Sequence, residues 1–178
     1  MDTLQNLLIE KCSELGLKAY PLEVKNIPVE NRIRLKCTYG CPDYGKSLSC
    51  PPHVMEVDEF RKILNEYNKA LLLIDEHKIS PECNPLNNWS CLSKKSFHKM
   101  IEIEHLAFRQ GFIFSLLMRP GPCNECDTCD EKCKKPQLCR FPPEAVGINI
   151  AKTLGDMDRK LAFCDDSVTK CIGILLIE

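Results

Sequence analysis

The stretch from Gly121 to Pro142, GPCNECDTCDEKCKKPQLCRFP, constrains this chain more than any other. It gathers Cys123, Cys126, Cys129, Cys133 and Cys139 into one short loop. Two or three residues between thiols let a tight turn aim each sulfur at a common point, which is the separation a metal centre needs. The segment therefore reads as a ligand loop, and the rest of the chain has to support it.

The first four thiols follow C-x2-C-x2-C-x3-C, with Pro136 soon after. That is the bacterial ferredoxin run for a [4Fe-4S] cluster, with the proline displaced. In two-cluster ferredoxins the first three cysteines serve one cluster and the fourth serves the other. Cys123, Cys126 and Cys129 thus form the expected trio. The fourth ligand stays open between Cys133, Cys139 and a thiol from elsewhere. Zinc is the alternative metal, since tetrahedral zinc takes the same thiolates. Ligand softness and spacing favour iron–sulfur.

A second cysteine loop, residues 37–53, reads CTYGCPDYGKSLSCPPH. Cys37, Cys41 and Cys50 offer three further metal ligands, interleaved with glycines that free the backbone and prolines that stiffen it. His53, Cys83, Cys91 and a thiolate of the main loop are the candidates for a fourth. One cluster shared by both loops and two separate clusters are both allowed.

At 178 residues the chain is expected to form one domain, 1–178. A net charge of −1 and a pI near 6.4 give no support to nucleic-acid or anionic-membrane binding. Thirteen cysteines is an odd number, clustered rather than spread, which fits ligation better than disulfide pairing. The opening MDTLQNLLIEKCSELG has helical apolar spacing and does not read as an export signal. No apolar run approaches the ~20 residues of a membrane span. A reducing cytoplasm, that of an anaerobe, is the expected setting.

Leu4, Leu7, Leu8, Cys12 and Leu15 predict an N-terminal helix over 2–16, with Cys12 as a core thiol. A strand is expected at 17–24. Alternation of Arg32, Arg34 and Lys36 with Ile33, Leu35 and Cys37 predicts a second strand over 31–37, its basic face solvated or facing an acidic partner. Helices are expected over 56–67, over 93–110, and after Pro142 and Pro143. Apolar runs at 69–75, 112–118 and 171–177 read as buried strands. His98 and His105 stand too far apart along the long helix to share one metal, and Cys164 and Cys171 read as structural. The fold class expected is α/β: a single-domain sandwich with a mixed, partly parallel sheet, in which the long helix carries a crossover from residue 74 to residue 113.

Several pieces together resemble an uncharacterised cysteine-rich family of predicted metal-binding proteins, a domain-of-unknown-function family of anaerobic bacteria and archaea. They are RLKC at 34–37, GCPDYGKSLSCPP at 40–52, EYNKALLLI at 66–74, GPCNECDTC at 121–129, CRFP at 139–142 and EAVGINIAKT at 144–153. The resemblance implies Cys37, Cys41, Cys50, Cys123, Cys126, Cys129 and Cys139 as the metal cysteines. Cys133 departs from that pattern. The chemistry suggests three functions. The first is an iron–sulfur protein that carries electrons or supports a redox or methyl-transfer partner. The second is an enzyme whose open cluster iron binds substrate, and the third is a zinc-stabilised interaction module. Arg119 and Arg140 flank the main loop and are placed to act on its potential or to meet a partner.

Overall fold

Four strands, β1 (Lys18–Glu23), β2 (Lys69–Lys78), β3 (Leu116–Met118) and β4 (Val168–Ile177), form one sheet in the order β1-β2-β4-β3. The computed structural model describes residues 3–78, 85–157 and 168–178; Cys83 and Cys164 lie outside the described residues. Every neighbouring pair in the sheet is antiparallel, which corrects the expected partly parallel pairing. The reason is topological. β2 and β3 do run the same way, as a crossover through the long helix requires, but β4 sits between them and pairs with both. Parallel direction survives without a parallel ladder, as in a split βαβ unit.

The sheet is covered on both faces, so its strands read as near-continuous apolar runs. Ala70, Leu72 and Ile74 of β2, with Ile172, Ile174 and Leu176 of β4, point to one side. There they meet Phe60 and Leu64 of α3 (Val57–Leu64) and Ile150 and Leu154 of α5 (Ile150–Gly155). Leu71, Leu73, Leu175 and Ile177 face the other side. They pack against Leu8 and Cys12 of α1 (Thr3–Glu14) and against Phe97, Met100 and Ile103 of α4 (Pro85–Arg109). Leu71, Leu72 and Leu73 are fully buried, each side chain contributing about 2 kcal/mol by leaving water. Pro21 is tolerated because β1 is an edge strand. No helix among the described residues is long and apolar enough to cross a membrane.

The segment expected as a strand over 31–37 is a helix, α2 (Asn31–Gly40). Over seven residues a period of two and a period of 3.6 share positions: Ile33 and Cys37 fall on one face in either conformation. Tertiary contacts then decide. Arg61 Nη2 donates to the Val29 carbonyl and to Asn31 Oδ1, holding the helix entry, and Arg34 Nη1 donates to the Met55 carbonyl and to Glu56. After Pro142 the chain makes a 3-10 turn, Pro143–Val146, and turns at Gly147 (φ 90°). The helix expected there starts only at α5, where Asn149 Oδ1 caps Lys152 N–H. Gly147 has no alternative, since a Cβ would stand 2.8 Å from Val57 Cγ1. β3 is shorter than the strand expected over 112–118, because Gly111 and the turn after it leave Ile113 and Phe114 exposed.

Cys12 and Cys171 are fully buried, in keeping with their reading as structural thiols. Burial pushes Cys12 up to about 12 and Cys171 up to about 11, from 9.0. In the unfolded chain both ionise near 9, whereas in the fold they keep their protons. Folding stability contributed by these thiols is therefore complete below pH 9 and is lost as pH rises towards 11 and 12, at about 1.4 kcal/mol per pH unit for each thiol. Thermal melts between pH 8 and pH 10.5 should show Tm falling steeply above pH 9. Cys12→Ala and Cys171→Ala should each flatten that fall.

Candidate metal centre

Both cysteine loops leave regular structure at the same end of the molecule. β3 delivers the chain to Arg119, and Gly121 (φ 69°) turns it into the cysteine run. The positive φ favours glycine, and a Cβ there would also crowd Trp89 Nε1 at 3.1 Å. The thiols of Cys123, Cys126, Cys129, Cys133 and Cys139 then line one cavity of about 410 Å³, its solvent mouth included. Cys133 and Cys139 both belong to it. Burial, then the neighbouring thiols of Cys123 and Cys133, pushes Cys139 up to about 12. Lys132, Lys134 and Lys135 rim the cavity and set positive charge against the sulfurs.

The remaining wall comes from the second loop: Ser47, Leu48 and Ser49 line the same cavity. Leu48 N–H donates to Cys129 Sγ at 3.4 Å, and Cys123 N–H donates to Ser49 Oγ at 2.9 Å. Ser47 and Ser49 hydroxyls are 2.9 Å apart, and both residues are buried. The two loops thus form one composite unit.

Cys37 lies in the last turn of α2, Cys41 follows its last residue, and Cys50 comes from the turns after it. Burial pushes Cys50 up to about 11, and Cys37 and Cys41 lie near enough to add to that rise. Cys37 is raised by burial first and by Cys41 second. These three thiols form a second group beside the first. His53 turns Nε2 to the Gly45 carbonyl at 3.2 Å, and Cys91 is exposed and lines neither cavity. Among the described residues, no three His, Cys, Asp or Glu side chains converge tightly enough for a single bare ion. The main-loop thiols line cavity walls instead.

Arg119 stands between the two groups. It is fully buried, and its guanidinium carbon lies 4.2 Å from the centre of the Phe97 ring. Nη2 donates to Asn124 Oδ1 at 2.6 Å and Nη1 to Glu125 Oε1 at 3.4 Å. Nε is buried with no partner among the described residues. Its charge acts on Cys123 and Cys139 of one group and on Cys50 of the other. Arg140, which also flanks the loop, is instead committed to Glu104, with Nη2 donating to Oε2 at 2.6 Å.

Glu125 escaped the sequence reading. It lies inside the cysteine run yet is 4 % exposed, and it accepts from His98 Nε2 at 2.9 Å as well as from Arg119. Its backbone carbonyl accepts from Lys135 Nζ. No local pattern marks it, because its role depends on α4 packing behind the loop. Ser47 and Ser49 were equally hidden, since their partners are more than seventy residues away or within the turn itself.

A family model described as Predicted metal-binding protein (DUF2284) matches residues 20–177. No curated protein and no solved structure matches the chain. The match takes in both cysteine loops, Arg119 and all of the sheet but the first two residues of β1, and so the chain belongs to this family of predicted metal-binding proteins.

Proposed function

We propose that the chain is an iron–sulfur protein whose main loop holds a [4Fe-4S] cluster, with an electron-transfer or redox-accessory role in anaerobic metabolism. The observation that carries this reading is the lining of one cavity by Cys123, Cys126, Cys129, Cys133 and Cys139, with a backbone N–H directed at one of the sulfurs. The donor set fits the group. Soft thiolates suit iron–sulfur clusters, and hydrogen bonds to sulfur together with nearby charge set a cluster's potential. When bound, the cluster supplies one-electron redox chemistry. The chain's own residues do the rest: Leu48 N–H and the lysine rim draw negative charge off the sulfurs. Ser49 fixes the backbone at Cys123, and Arg119 holds a cation behind the site. Cys37, Cys41 and Cys50 are the proposed ligands of a second centre. The partner we propose is a redox or methyl-transfer protein.

A specific observation favours a second reading, an enzyme. Two of the three proposed ligands of the second centre, Cys37 and Cys41, line a separate cavity of substrate size. Three protein ligands plus one open position is how catalytic metal sites bind substrate. The test is anaerobic reduction followed by electron paramagnetic resonance. A reversible one-electron signal, unchanged by added small molecules, supports the carrier. Absence of any reducible centre in iron-loaded protein overturns it.

A further inference from the structure

Beside the three-thiol group lies a cavity of about 380 Å³ without its solvent mouth, within the range of roughly 300–1,000 Å³ for small-molecule sites. Ile33, Lys36 and Cys37 project into it from α2, where spacings of three and four put them on one face. Ile148, Ile150 and Ile172 make the opposite wall, and Trp89 closes one side. Lys36 and Lys170 both line it, and neither makes a hydrogen bond or ion pair among the described residues. The Trp89 Nε1–H likewise has no acceptor there. Among the described residues Glu144 is the one carboxylate in the lining.

We infer that this cavity is a binding site for a small organic monocarboxylate with a branched apolar body, held beside Cys37 and Cys41. Among the described residues, two unpaired ammonium groups against one carboxylate leave a net positive charge, which suits an anionic group. The indole N–H supplies a neutral donor for the same carboxylate, and the isoleucine wall takes the apolar body. The position next to Cys37 and Cys41 rests on the metal reading above, but recognition of the carboxylate rests on the cavity alone.

Trp89 is the one tryptophan of the chain, so its fluorescence reports on this cavity. The full chain, purified without oxygen and assayed for iron, is titrated with isovalerate and separately with isoamyl alcohol, its neutral isostere. The inference predicts a saturable change with isovalerate and at least tenfold weaker binding of the alcohol. It also predicts at least a tenfold loss of isovalerate affinity in the Lys36→Met/Lys170→Met double variant, which should keep the wild-type circular dichroism. No saturable response to isovalerate in iron-loaded protein overturns the inference and leaves the iron reading intact. Equal binding of the alcohol, or an undiminished response in the folded double variant, overturns it as well. Carboxylate binding by a chain that takes up no iron keeps the cavity and overturns the iron reading.

Discussion

Replacing Cys126 by alanine is expected to remove the main centre outright. Iron and acid-labile sulfide should each fall by about four per chain, the content of a [4Fe-4S] unit. Cys126 is chosen because it belongs to the trio on which local spacing and family resemblance agree, and because its thiol lines the same cavity as Cys123 and Cys129. The consequence reaches beyond one ligand. A metal held by the main loop would tie the composite of two loops together, so its loss should also lower the thermal midpoint of the loaded protein. Residual iron equal to wild type in Cys126→Ala would remove the assignment. The paired variants Cys133→Ala and Cys139→Ala decide the fourth ligand, since both thiols reach the cavity and one of the two should tolerate the change.

Arg119→Met is expected to have the next largest effect, on two separable quantities. The guanidinium is fully buried, stacked on Phe97 and bonded to Asn124 and Glu125. Removing it leaves Glu125, 3 % exposed at the side chain, with only His98 at 2.9 Å and Lys94 at 3.9 Å. Because Glu125 keeps the nearer His98, the cost should fall below the about 3–5 kcal/mol of a stranded buried charge. The second effect is on the cluster. A cation near it stabilises the reduced, more negative state, so its loss should lower the midpoint potential. A shift of roughly 60 mV would be a tenfold change in a one-electron equilibrium. Arg119→Lys keeps the charge but not the planar stack, so its potential should stay near wild type while its stability drops. Voltammetry and thermal melts on the two variants check this. A wild-type potential in folded Arg119→Met would remove Arg119 from the account of tuning.

Local features of the fold were legible. The apolar runs that became β2 and β4 and the helical spacing of Leu8 and Cys12 need no distant partner to be recognised. The cysteine run is local as well, which explains why five thiols found by spacing line one cavity. What failed was non-local. The pairing of β4 between β2 and β3 depends on a segment at the far end of the chain, so the crossover was read correctly in direction and wrongly in ladder. In α2 the alternation of basic and apolar residues matched a strand only until Arg61 and Met55 supplied the contacts of a helix. At the site, Arg119 was visible as a flanking charge, but Glu125, Ser47 and Ser49 gain their roles only from packing against other loops. Arg140 flanks the loop equally in sequence and is taken up by Glu104.

Metal and acid-labile sulfide content, measured with an absorption spectrum on protein purified without oxygen, tests the central claim most directly. The account predicts about four irons and matching sulfide per chain with one centre loaded, or about eight with both loops loaded, and a brown colour. Stoichiometric zinc without sulfide would contradict it, and would make the two cysteine loops a structural module.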